Sequence, residues 1–128
     1  MPRPIETPAA PLPAGHYSQA IVHGGLVYVA GQLPIDPETR RPLAGAEVEA
    51  QTERALRNLQ AVLEAAGSRL DLVLRVTVYV ADVALWSRVN ATYAAFFGPH
   101  RPARTVVPTG PLHHNLLVEI DAIAALPE

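Results

Sequence analysis

From residue 47 to 66 the small and apolar side chains recur at helical spacing. Val48, Thr52, Ala55, Leu56, Leu59, Val62, Leu63 and Ala66 fall on one stripe, and Glu53 and Arg57 pair one turn apart on the opposite side. Gly67 is a natural stop. A one-sided helix of this length needs a partner surface, and the flanking sequence supplies strands. Ser18 to His23 and Leu26 to Gly31 read as a hairpin about Gly24-Gly25. Leu72 to Val80 is β-branched and reads as a third strand. Asp82 can cap a second helix over about 83–97, with Trp86, Val89, Tyr93, Phe96 and Phe97 inward and Gly98-Pro99 ending it. Residues 104–109 and 116–124 supply two further strands.

The order β-β-α-β-α-β-β predicts an α+β fold, a single mixed sheet with both helices on one face. Pro34 to Gly45 reads as a loop. Residues 1–14 carry five prolines and read as an extended arm, leaving 15–128 as one domain. At 128 residues the chain can bury roughly two-thirds of its unfolded surface. Val27, Val29, Val76, Val78, Val106, Ile120 and Ile123 are more apolar strand residues than two helices are expected to cover. Self-association through the second sheet face is therefore an expectation.

Composition narrows the chemistry. With no cysteine there is no disulfide, thiolate nucleophile or Cys-ligated metal. All ten basic residues are arginine, which excludes a lysine Schiff base. A formal charge of -2 gives no electrostatic reason to bind nucleic acid or an anionic membrane. No run approaches the roughly 20 apolar residues of a membrane helix, and the proline-rich start has no signal-peptide core, so a cytoplasmic protein is expected.

Two charged residues stand out in apolar surroundings. Arg104 opens the strand-like run Pro-Ala-Arg-Thr-Val-Val, and Glu119 lies in Leu-Val-Glu-Ile-Asp-Ala-Ile-Ala. A charge in such a stretch needs a partner or a task. If the two runs are neighbouring strands, both groups can face one small pocket. The guanidinium would grip a substrate carboxylate through two parallel hydrogen bonds, and the glutamate would handle protons or water. The plainer alternatives are a structural ion pair for Arg104 and an outward, solvated position for Glu119.

Gly-His-Tyr-Ser-Gln-Ala-Ile at 15–21, Val-Ala-Gly-Gln-Leu-Pro-Ile-Asp-Pro at 29–37 and Gln51-Thr52 with Asn58-Leu59 form one set of motifs. Ala-Ala-Gly-Ser at 65–68, Val89-Asn90 with Tyr93 and Phe96-Phe97-Gly98, Pro102-Ala103-Arg104-Thr105 and Val118 to Ala124 extend it. In this order and spacing, from about residue 15 to 125, the chain resembles the YjgF/Rid family of enamine/imine deaminases. The resemblance implies a chorismate-mutase-like fold and homotrimers whose sheets form a central barrel, with clefts between subunits. It also implies hydrolysis of 2-aminoacrylate and related imines to 2-oxo acids and ammonia, without metal or organic cofactor.

By the same resemblance Arg104 holds the substrate carboxylate and Glu119 positions the hydrolytic water. Tyr17 and Asn90 belong to the site, and backbone groups near Gly31 and Val106 complete it. Tyr17 could otherwise be packing, and Asn90 could bond neighbouring backbone. Departures from the family pattern border the same cleft. His16 replaces a proline, Ala30 a common serine, Arg40 a glycine and Val106 a frequent cysteine, while His113-His114 replace a Leu-Pro turn. His16, His113 and His114 are therefore candidate specificity residues. The two adjacent histidines, pointing opposite ways in an extended strand, would not chelate a metal together. Other readings are a pathway-specific enzyme of this fold acting on a larger imine, and a non-catalytic ligand-binding or chaperone-like trimer. Ribonuclease activity, an old label in the family, fits poorly with the charge and the missing lysine.

Overall fold

The computed structural model describes all 128 residues. Six strands form one mixed sheet in the order β1-β2-β3-β6-β4-β5: β1 Arg3–Ile5, β2 Ala20–His23, β3 Leu26–Gln32, β4 Val73–Val80, β5 Ala103–Pro108 and β6 Val118–Ala125. Helices α1 (Val48–Ala65) and α2 (Trp86–Phe97) pack on one face, so the α+β architecture is as expected. Each element has a local cause. Gly24 and Gly25, at φ 60° and 78°, form the two-residue turn between His23 and Leu26, a left-handed geometry that suits glycine. All eight stripe residues of the first helical segment are buried. Asp82 accepts a hydrogen bond from the Ala84 N–H and starts a short 3-10 turn that leads into α2.

Two expectations need correction. The proline-rich arm is part of the sheet: Arg3, Pro4 and Ile5 pair with Val22, Ile21 and Ala20, and Ile5 and Ala10 are buried in the core. Gln19 clamps residues 7–11 of the same arm. Its buried Oε1 accepts from the Thr7 N–H at 2.6 Å, and its Nε2 donates to the carbonyls of Thr7 (3.0 Å) and Pro11 (2.9 Å). The second correction concerns the apolar strand residues. Val27, Val29, Val76, Val78 and Ile120 are all buried in the helix-side core, and Val106 packs against it. The antiparallel register puts them in one phase of the pleat, because Val76 lies opposite Ala122 and Val78 opposite Ile120.

Of the seven, only Ile123 lies on the open face, across from Tyr28. That face is mixed rather than apolar: Tyr79 donates to Asp121 at 3.0 Å and Arg75 to Thr105 at 2.6 Å.

Buried polar side chains of α1 fix the loops beside the sheet. Asn58 donates to the carbonyls of Leu33 (3.0 Å) and Ile35 (2.9 Å). Gln51 donates to the Ala46 carbonyl and accepts from the Leu117 N–H. These bonds satisfy loop backbone groups that would otherwise be unpaired next to the core.

Candidate functional site

Arg104 lies on the edge strand β5, in parallel register with Val76, and so faces the helix side of the sheet. Trp86, Asn90 and Tyr93 recur four and three residues apart, which brings them to one face of α2 beside it. The guanidinium carbon sits 4.6 Å from the Trp86 ring centre and 4.8 Å from that of Tyr93, and Nη1 donates to Asn90 Oδ1 at 2.8 Å. Aromatic contact and one hydrogen bond fix the plane of the group. Most of its five N–H donors remain for a ligand, and Arg104 is exposed. The Tyr93 hydroxyl beside it is buried without a hydrogen-bond partner; burial raises its pKa, against the pull of the Arg104 charge. Val106, two residues along β5, shares this face.

Glu119 belongs to a second cluster. It lies opposite Tyr79 on the open face. Across from it β3 carries one extra residue between Val29 and Gln32, a bulge that holds Ala30 and Gly31. The carboxylate rests directly over the Gly31 α-carbon. A β-carbon there would overlap Oε2 and lie 3.0 Å from Cδ, so glycine is what lets the carboxylate rest in this place. Burial pushes the Glu119 pKa up, positive charge on His113 lowers it, and Asp121 on the same face raises it. Beside it opens a cavity of about 210 Å³ whose wall includes Tyr17, Gly31, Leu33, His113 and His114. Within the bulge, the Ala30 N–H donates to the Gln19 carbonyl at 2.9 Å. His16 is exposed and does not line this cavity.

The histidine pair departs from expectation: residues 113–115 form a 3-10 turn rather than a strand, with His114 in the left-handed region at φ 59°. Both histidines line the cavity.

Arg104 and Glu119 do not share a pocket within one chain. β4 separates β5 from β6, and their registers on it, Val76 and Tyr79, are three residues apart and hence on opposite faces. Each group instead heads its own cluster. Trp86 and Tyr93 were legible as inward-facing helix residues; their spacing with Asn90 is the signal that they also embrace a cation. No group of three or more His, Asp or Glu side chains converges as metal ligands would, and no helix is long and apolar enough to cross a membrane.

A mixed sheet backed by two helices, with a carboxylate over a β-bulge and an aromatic-clamped arginine on its edge, has clear relatives. The model of the family described as Endoribonuclease L-PSP matches residues 7–126, and the chain belongs to that family, the YjgF/RutC family. Within it, the chain is 44% identical over 120 residues to a RutC family protein of Pyrococcus abyssi, covering 94% of each. It is 39% identical over 127 residues to a protein of Salmonella typhimurium named 2-iminobutanoate/2-iminopropanoate deaminase, covering 97% of this chain and 98% of that one. The crystal structure of Escherichia coli TdcF with bound serine superposes with a TM-score of 0.92 at 32% identity, covering 98% of this chain and 99% of that one.

Proposed function

We propose that this chain is a hydrolytic enamine/imine deaminase acting on small 2-imino carboxylates of the 2-aminoacrylate type, with its site assembled between copies. The observation that carries the reading is the division of labour between the two sheet faces. Arg104 is held by two aromatic rings and Asn90 with free donors, Glu119 sits half-buried over Gly31, which lines the cavity, and neither cluster has the other's chemistry. A second copy, in a homotrimer, would bring the Arg104 of one chain to the Glu119 of another. The deaminase relative and the serine-bound neighbour support a ligand that carries both a carboxylate and a nitrogen.

The steps balance simply. The enamine tautomerises to the imine, and Arg104 holds its carboxylate through paired N–H donors. Glu119, ionised, takes a proton from a water that adds to the imine carbon. Glu119 returns that proton to the nitrogen as the carbinolamine forms; the carbinolamine's hydroxyl proton then passes to the nitrogen, the C–N bond breaks as the C=O bond forms, and ammonia leaves a 2-oxo acid. Tyr17 closes the cavity over the reacting carbon, with Asn90 setting the Arg104 plane and the backbone at Gly31, Ala30 and Val106 lining the rest.

Ammonia and 2-oxo acid release from freshly generated 2-aminoacrylate tests the reading. Wild type is expected to exceed the uncatalysed rate and Arg104→Ala to lose the excess while remaining assembled. Arg104→Ala and Glu119→Gln chains, refolded together in equal amounts, are expected to recover about one quarter of wild-type sites, since a cyclic assembly pairs intact halves at that frequency. No activity from the mixture would refute the shared site.

A further inference from the structure

The 210 Å³ cavity beside Glu119 abuts another. It shares Pro11, Leu12, Ala14, Ile35 and His114 with a second cavity of about 420 Å³ between the N-terminal arm and the 34–45 loop. The second space falls in the range of about 300–1,000 Å³ typical of small-molecule sites. Its remaining wall is dominated by proline, with Pro8, Pro13, Pro37 and Pro42, and Arg40 and Asp36 stand at its margin.

The space is built rather than accidental. The Gln19 clamp holds one wall and Asn58, through the Leu33 and Ile35 carbonyls, holds the other. His114 stands where the two cavities meet, kept in a left-handed conformation that costs a non-glycine residue energy unless the surroundings enforce it. Asp36 is occupied by the N–H groups of Glu38 and Thr39, so it is not free to meet a ligand.

We propose that, among such imines, this chain prefers 2-imino acids with a branched or aromatic apolar side chain, which runs from Gly31 past His114 into the proline-lined cavity. This rests on the deaminase reading above. A methyl-bearing 2-imino acid would leave the cavity empty, whereas an isobutyl or benzyl group would exchange water for apolar contact along the Leu12, Ile35 and proline surface. Rigid proline walls lose little conformational freedom when such a group enters.

The test compares imines generated in situ by an amino-acid oxidase from alanine, leucine, phenylalanine and glutamate, with kcat/KM read from the loss of semicarbazide-trappable imine. The leucine- or phenylalanine-derived imine is expected to be turned over at least about tenfold more efficiently than the alanine-derived one. Pro8→Trp, which fills the far cavity from an exposed position, is expected to abolish that preference and leave the alanine-derived rate within about twofold. Equal or better turnover of the alanine-derived imine by wild type would overturn the inference and leave the deaminase reading standing. So would a preference for the glutamate-derived imine, which would point to an anionic tail beside Arg40. Failure with all four would overturn both. The wild-type comparison decides the matter even if Pro8→Trp does not fold.

Discussion

Replacing Gly31 by alanine separates the catalytic geometry from the fold. The added methyl would overlap Glu119 Oε2 and stand 3.0 Å from Cδ and 3.3 Å from Cγ. Carbon atoms rest at about 3.5–4.0 Å, so the carboxylate must swing away by on the order of 1 Å. Gly31 is outside the left-handed region, so its backbone accepts alanine. What must move is the free end of a side chain rather than backbone. The exchange therefore costs the fold little, and the lower entropy of the unfolded chain returns about 0.4–1 kcal/mol. For the chemistry, a misplacement of about 1 Å costs on the order of 100-fold.

Gly31→Ala should thus melt near the wild-type temperature while kcat/KM on freshly generated imine falls by about 100-fold. Because the loss acts through Glu119, adding Glu119→Ala should reduce activity little further. Activity within about twofold of wild type in a folded Gly31→Ala protein would show that the carboxylate over the bulge does not take part. Equal, fully additive losses in the double variant would point to a separate role for the backbone at Gly31.

Other expectations come from the same geometry. Since burial raises the Glu119 pKa and the proposed water activation needs the carboxylate ionised, the acid limb of kcat/KM should lie above the ordinary 4.5. His113→Gln, by removing a positive charge, should move that limb higher, and an unmoved limb would exclude the coupling. The same raised pKa favours the neutral carboxyl in the folded state, a contribution present at low pH and lost as pH rises through the folded value; Glu119→Gln should therefore be more stable than wild type at neutral pH in urea denaturation. Trp86→Leu removes one ring from the Arg104 clamp, a contact worth about 0.5–2 kcal/mol, so KM should rise about 2- to 30-fold with kcat less affected; an unchanged KM would count against the clamp. Gln19→Ala strips the arm of its clamp and should cost about 2–3 kcal/mol in urea unfolding while exposing residues 1–14 to proteolysis; an arm as protease-resistant as wild type would argue against it.

How legible these features were depends on the length scale of the forces behind them. The α1 stripe was readable residue by residue because the helical period and burial act within one segment. The hairpin at Gly24-Gly25 was readable for the same reason. The phase of the sheet was not. Alternation in β3 and β6 says that two faces exist, but which face meets the helices depends on register across strands far apart in sequence. Seven valine and isoleucine positions therefore read as too many for one face when the register in fact aligns six of them. The separation of Arg104 from Glu119 has the same origin, since nothing local shows that β4 comes between them. The strand Arg3–Ile5 is three residues long and contains a proline, and what holds it is Gln19 and the β2 edge, a tertiary cause. The His113-His114 turn rests on a left-handed backbone that histidine does not advertise.

The two outer strands of the sheet are proline-marked. Pro4 lies inside β1, while Pro102 immediately precedes β5 and Pro108 is its last residue. A proline has no N–H to offer an incoming strand, and the charged Arg104 lies between the two on β5. Neither margin is a good template for another copy to lengthen the sheet sideways. The homotrimer proposed above would therefore have to form through the broad surface that carries Tyr28, Asp121 and Ile123, as a closed assembly rather than a growing ribbon.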